Sequence, residues 1–279
     1  MLPALILAAA LGAPAGTLVR YEVVETMRAL TPSGPRNRAL AGTVSALGGK
    51  ARWDLSGGRF PGVAARAAIT DGGALVLLDP EASLATPVSR EEFEGLFQPA
   101  PGPAGLSTAA IRDLSASVVR DGNGVPFDGS PTERWAVRCK YQLVTAQPGR
   151  IVRVTAEVSG TIETAPEPAA PPTPFDDLLR LFHARGEVRE ALALQLLKVN
   201  GLPVRVRLDA TSEALAEAVG APGDTGAGSP ARATSTTTRT VSNLSRRPAA
   251  EGDETLFAVP ESYRSLPLER ARTEGPLPR

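Results

Sequence analysis

Trp135-Ala-Val-Arg-Cys-Lys-Tyr-Gln-Leu143 is the stretch that decides the fold class. Trp135, Val137, Cys139, Tyr141 and Leu143 fall in one row; Arg134, Arg138, Lys140 and Gln142 fall in the other. Side chains alternate across a strand with period two, so this is a strand with one dry face and one wet face. The turn Gln147-Pro-Gly149 leads into Ile151–Ile162, where Val152, Val154, Ala156 and Val158 alternate with Arg153, Thr155, Glu157 and Ser159. Together they predict a long antiparallel hairpin at the centre of a sheet.

Further strands flank this hairpin on both sides. Thr17–Met27 alternates, and Arg38–Leu47 and Lys50–Leu55 enclose Gly48-Gly49, a two-residue turn that uses positive φ. Ala67–Thr70, Ala74–Leu78 and Ser83–Val88 follow, then Arg90–Leu96, a short helix capped by Ser89. Residues 98–105 are Pro/Gly/Ala-rich and read as a loop, and Ala110–Val119 reads as a strand. Residues 165–174 are proline-rich and extended. After them the period changes: Phe175, Leu178, Leu179 and Phe182 follow i, i+3, i+4, i+7, the stripe of a helix buried on one side. Gly186 interrupts it. Val188, Ala191, Leu192, Gln195, Leu196 and Val199 make a second stripe, which Asn200-Gly201 ends. Pro203–Asp209 returns to strand. Residues 211–231 read as a long loop with one helical turn at Glu213–Val219, Thr234–Leu244 as a polar edge strand, and 268–279 as a flexible tail.

Composition narrows the function classes. Lys+Arg and Asp+Glu balance at 30 each, which gives no electrostatic case for nucleic acid. The single cysteine forms no internal disulfide, so the fold must stand on its apolar core. Leu2 to Leu11 is apolar and Ala13-Pro-Ala15 has the small-x-small pattern of a signal peptidase site. Residues 1–15 are therefore expected to be a signal peptide cleaved near Ala15, which places the protein in the periplasm or outside the cell. The apolar run is half the ~20 residues a membrane-spanning helix needs, so an integral membrane protein is not expected. Residues 16–267 are expected to form one domain.

Few residues offer catalytic chemistry. No Gly-x-Ser-x-Gly elbow exists, and His183, the only histidine, follows Phe182 at a helix end, where it offsets the helix dipole. Cys139 sits in a dry row, whose apolar surroundings raise a thiol pKa. Asp176, Asp177 and Glu187 occupy first helical turns, where carboxylates are expected without any metal. No metal-ligand spacing, P-loop or dinucleotide fingerprint occurs, so no metal, no cofactor and no enzymatic activity are expected. Arg134, Arg138, Arg153, Arg205 and Arg207 face away from the apolar rows. They serve either as a basic patch for anionic head groups or as solubilising charges beside Glu157 and Asp209.

Long antiparallel strands, a late helical pair and a dry face too large for those helices predict an α+β, mostly β fold. Its form is an antiparallel incomplete (half) β-barrel with the helical pair covering the concave face. Lys50-Ala-Arg-Trp-Asp54, Ile69-Thr-Asp-Gly-Gly73, Leu77-Leu-Asp-Pro80, Cys139-Lys-Tyr141, Asn200-Gly-Leu-Pro203 and Phe257-Ala-Val-Pro-Glu-Ser-Tyr263 occur in order along the chain. On these segments the chain resembles a secreted bacterial family of unknown function similar to the periplasmic lipoprotein carriers. That resemblance implies a concave apolar face that receives acyl chains. The implied lining is Trp53, Trp135, Val137, Tyr141, Val154 and Val206, with Phe175, Leu179 and Phe182 as a helical lid. Each methylene buried there favours binding by about 0.8 kcal/mol. The same residues also suit a closed core, in which case the chain is an envelope protein-interaction or sensor module without a small ligand.

Overall fold

The computed structural model describes residues 16–71, 74–97, 110–147, 150–166, 173–182, 186–218 and 230–273. The expected signal segment 1–15, the loop at 98–105 and His183 lie outside the described residues.

Among the described residues twelve strands join in one open sheet whose two ends do not meet. They are β1 (Thr17–Thr31), β2 (Gly34–Leu47), β3 (Lys50–Gly57), β4 (Ala67–Thr70), β5 (Leu75–Asp79), β6 (Leu84–Val88), β7 (Ala110–Asn123), β8 (Glu133–Gln147), β9 (Arg150–Ala165), β10 (Leu202–Ala218), β11 (Ala231–Pro248) and β12 (Arg264–Ser265). In space the order is β12-β6-β5-β4-β3-β2-β1-β11-β10-β9-β8-β7, antiparallel throughout except for the β12–β6 pair. The helices are α1 (Arg90–Phe97), α2 (Leu179–Phe182), α3 (Gly186–Leu196) and α4 (Leu268–Thr273). The protein is mostly β, as its alternating rows predict.

Alternation decides which side each strand buries. In β1, Val19, Tyr21, Val23 and Glu25 are buried while Arg20, Glu22 and Val24 are exposed. Gly48 and Gly49 adopt φ of 56° and 87° and turn β2 into β3. Two other glycines let backbones approach closely. A Cβ on Gly160 of β9 would lie 2.0 Å from the Arg207 carbonyl oxygen of β10, and one on Gly42 of β2 would lie 2.2 Å from that of Asp54. Gly42 also borders a bulge. Bulges and glycines at such points are what allow a wide sheet to bend.

Several sequence expectations are corrected. The β8–β9 hairpin is not central: only β7 lies beyond β8, and the middle of the sheet is β2 against β1. The Thr-rich strand is not at an edge, since β11 is held between β1 and β10. Threonine tolerates that position because it is β-branched and its hydroxyl finds a partner, as in the Thr26–Thr238 Oγ1 contact of 2.7 Å. The loop expected from Thr211 begins later: β10 runs on to Ala218, paired with β9 along that length and with β11 as far as Ala214. Ladders on both sides as far as Ala214, and β9 alone beyond it, hold its backbone, which Ala- and Glu-rich sequence does not announce. The tail expected to fray from Leu268 instead begins with α4, where Leu268 is buried and Ala271 packs on the main core.

The first helical stripe is also interrupted. Thr173 caps a 3₁₀ turn at Pro174–Asp176, Asp177 is extended, and α2 then starts at Leu179. α1 opens as predicted, with Ser89 Oγ accepting from Glu92 N at 3.1 Å and Glu92 Oε2 accepting from Ser89 N at 2.7 Å. Ion pairs link the helices: Arg90 to Asp177 at 2.8 Å, and Arg189 of α3 to Glu94 of α1.

The core has two large clusters, and two small ones around Ile69 and around Phe257. One large cluster joins Val19, Tyr21, Val23, Trp53, Phe60, Phe93, Phe97, Phe175 and Val204 under α1. The second joins Trp135, Val137, Cys139, Ile162, Val206 and Leu208 of the sheet to Leu181, Phe182, Val188, Leu192 and Leu196 of α2 and α3.

A candidate binding groove and the charge network beside it

Strand register lines up the residues of the helix-bearing face in rows. One row reads Glu25–Arg239–Val206–Ile162–Trp135 across β1, β11, β10, β9 and β8. The next reads Met27–Thr237–Leu208–Gly160–Val137, and the next Ala29–Ser235–Ala210–Val158–Cys139. A last one carries Ala233, Ser212, Ala156 and Tyr141. Large side chains in the first rows reach the helices and pack. In the later rows Ala29, Ser235, Ala210, Ala233, Ser212 and Ala156 are too short to do so. A cavity of about 370 Å³ is left between this floor and Phe97, Leu181 and Phe182. That volume lies at the small end of ligand pockets. Arg36 and Arg38 of β2 stand at its side, and no Asp or Glu lines it.

Above the groove lies a buried network of charges. The Glu25 carboxylate accepts from both guanidinium nitrogens of Arg180, with Nη1 at 2.6 Å from Oε2, and from Arg239 Nη1 at 2.8 Å. Arg239 also pairs with Asp176, whose Oδ2 accepts from Tyr21 OH at 2.6 Å and from Thr173 Oγ1 at 2.8 Å. The Phe175 carbonyl accepts from Arg180 at 2.7 Å and from Arg239 at 3.0 Å. Two acids and two guanidiniums therefore balance within the interior, and they tie the 3₁₀ turn and α2 to β1 and β11. The Arg180 guanidinium also lies 5.1 Å from the Trp53 ring centroid and 4.9 Å from that of Phe97. Burial pushes the Glu25 carboxyl up, but Arg180 and then Arg239 outweigh it and hold the group below the usual carboxylate range. Burial, and next the Asp176 charge, push Tyr21 well up, so it serves as a neutral donor. Burial alone would lower Arg239; Asp176 and Glu25 more than offset it.

The residues singled out from sequence separate into three groups. Tyr141 and Phe182 line the groove. Trp135, Val137 and Val206 are buried in the second cluster, with Leu179 half-buried against it. Trp53 and Phe175 lie in the first cluster, packed ring to ring at 5.8 Å between centroids. Val154 is half-buried and belongs to neither cluster. Asp176 does stand in a first turn, where its Oδ2 accepts from Thr173 N at 3.0 Å in a capping box, and it is in addition a buried partner of Arg239. Asp177 does cap α2, accepting from Leu179 N at 2.9 Å. Sequence reasoning missed Glu25, Arg180 and Arg239. The signal was present for Glu25, a carboxylate continuing the apolar row Val19, Tyr21, Val23.

Other chemical candidates resolve simply. Cys139 is buried, and burial pushes its thiol up. No group of three or more His, Cys, Asp or Glu suited to a metal occurs among the described residues. The outer-face arginines are largely neutralised: Arg134 by Asp121 at 3.0 Å, Arg205 by Glu163 at 2.8 Å and Arg207 by Asp209 at 3.2 Å. A second cavity of about 370 Å³, lined by Val63, Leu77 and Leu266, contains its own counter-charges, with Arg59 bound to Glu81 at 2.9 Å. No described helix is long and apolar enough to cross a membrane.

No family model and no curated protein matches the chain. Among solved structures it is similar to a domain assigned to outer membrane lipoprotein sorting from Vibrio parahaemolyticus. The two are 8% identical, with 87% of this chain and 91% of that one covered at a TM-score of 0.25. A DUF1329 family protein from Desulfovibrio piger is 12% identical over 88% of this chain and 90% of its own, at a TM-score of 0.20. Neisserial surface protein A is 6% identical over 81% and 97%, at 0.11. Superpositions this loose bear no weight in assigning an activity.

Proposed function

We propose that the protein is a non-enzymatic binding protein of the bacterial envelope or exterior that holds an acyl chain, free or attached to a lipid or protein. In this reading the sheet is a half-barrel, α2 and α3 cover its concave face, and the groove floored by Ala29, Ala210, Ala233 and Ala156 receives the chain. The export pattern at residues 1–15 supports the compartment. The observation that carries the reading is the cavity itself, which stays open where short side chains replace the large ones of the neighbouring rows. Its walls suit a hydrocarbon, which needs no directional partner. A fully buried sixteen-carbon tail contributes about 12 kcal/mol. At least ~4 kcal/mol is lost on association. At most about 8 kcal/mol remains, a Kd no tighter than about micromolar.

Displacement of a fluorescent long-chain probe tests this. Saturable single-site binding is expected, weakened at least ~10-fold by Ala210→Trp, which fills the groove floor. The absence of saturable binding to the folded wild-type protein would reject the proposal.

A second reading, a partner-docking module, is favoured by Leu194 and Leu197 at the end of α3, which are 67% and 70% exposed. Cross-linking in cells that is lost in a Leu194→Asp/Leu197→Asp variant would support it.

A further inference from the structure

Resting on the acyl-chain reading, we infer that the groove selects a single-chain carboxylate, with Arg36 and Arg38 receiving the anionic head. Both arginines lie on the groove face of β2, opposite Ala29 and Met27 of β1. Two positions apart on one strand, they point the same way and stand roughly 7 Å from each other along it. β3 pairs with β2 only from Ala41 to Leu47, so this end of β2 has β1 alone as its ladder partner among the described residues.

Their charges are not already spent. Neither forms an ion pair among the described residues. Arg38 Nη1 donates to the Phe97 carbonyl oxygen at 3.3 Å, a long bond, and its guanidinium lies 5.6 Å from the Phe97 ring centroid. The nearest buried acid, Glu25, is occupied by Arg180 and Arg239. The buried network is neutral as a whole, so the two β2 arginines leave this end of the groove with two unmatched positive charges. Every other charged side chain is missing from the lining, which is otherwise apolar or hydroxyl-bearing.

An apolar trough ending in two unmatched guanidiniums is complementary to an amphiphile with an anionic head. Guanidinium forks bind carboxylates in a two-bonded, planar fashion. A cavity of about 370 Å³ accommodates one hydrocarbon chain rather than two, which favours a free long-chain acid over a diacyl phospholipid. Arg36 is exposed and Arg38 half-buried, so the head sits at the solvent end and the tail runs inward over Ala29, Ala210 and Ala156.

The test compares hexadecanoate with hexadecanol, which share a tail and differ in charge, by displacement of a bound fluorescent probe. Wild-type protein is expected to prefer the acid at least about 10-fold, the worth of one charge-assisted bond pair. In Arg36→Gln/Arg38→Gln the ratio should collapse to about one, while Arg36→Lys/Arg38→Lys, which keeps the charge, and Arg138→Gln, on the opposite face, should keep a preference for the acid. Equal wild-type affinity for acid and alcohol overturns the head-group assignment and leaves the acyl-chain reading standing. Binding of neither overturns both. Should the glutamine variant fail to fold, the wild-type ratio and the lysine variant decide. A lysophospholipid that outcompetes hexadecanoate also overturns the carboxylate assignment.

Discussion

Replacing Glu25 by leucine probes the buried network at its busiest point. The carboxylate accepts three guanidinium hydrogen bonds, two from Arg180 and one from Arg239. Arg239 retains Asp176 after the change, but Arg180 keeps only the Phe175 carbonyl and the faces of Trp53 and Phe97. Arg180 is 3% exposed, so water does not replace the lost partner. Breaking one side of a buried ion pair costs about 3–5 kcal/mol, because a charge is left uncompensated. For a domain of this size that corresponds to a fall in Tm of roughly 6–20 °C. Urea unfolding followed by tryptophan fluorescence reads the change, since Trp53 lies directly beneath Arg180. The double variant Glu25→Leu/Arg180→Met removes both charges and leaves the Arg239–Asp176 pair neutral. It should be more stable than Glu25→Leu alone by about 2 kcal/mol or more, a coupling typical of contacting charges. A Glu25→Leu loss below ~1 kcal/mol, or a double variant whose loss equals the sum of the singles, refutes the reasoning.

Further outcomes follow from the same geometry. Because its paired arginines hold the Glu25 carboxyl below the usual range, its contribution is present above the ordinary glutamate value of about 4.3 and fades as pH falls through the lower folded value. The stability gap between wild type and Glu25→Leu should therefore narrow between pH 6 and pH 3 in urea titrations. Gly160→Ala forces a Cβ against the Arg207 carbonyl and should cost about 1–3 kcal/mol, with faster amide exchange across β9 and β10. Cys139, buried and with its thiol pushed up, should resist aromatic disulfide reagents in the native state and react at the rate of unfolding. Prompt labelling at neutral pH would show that the second core cluster opens readily.

The strands were legible wherever hydrophobic alternation is strong. β8 and β9 follow from the rows that begin at Trp135 and Val152, and the turn at Gly48-Gly49 follows from two glycines at positive φ. The helical stripes placed Phe182, Val188, Leu192 and Leu196 on buried positions. Sheet order was not legible, because local pattern does not say which distant strand pairs with which. β11 looks like an edge from its threonines, yet it is central because β1 and β10, far apart in sequence, close on both its sides. The end of β10 was hidden for the same reason, since its backbone is satisfied by neighbours and not by its own side chains. The groove followed a signal of small residues rather than large ones. Candidate lining residues were sought among aromatics, which turned out mostly to fill the core, while Ala29, Ala210 and Ser235 leave the space. Arg239 was concealed in a Thr-rich strand, and its partner Glu25 in an apolar row.

The most direct test of the binding account is photolabelling with a long-chain acid that carries a diazirine midway along its tail. Peptide mapping should place the adducts on Met27–Thr31, Leu208–Ser212 and Ala233–Thr237, and unlabelled hexadecanoate should suppress them. Labelling confined to Leu194 and Leu197 or to the opposite face of the sheet, or labelling that competitor leaves unchanged, would contradict an acyl chain in the groove.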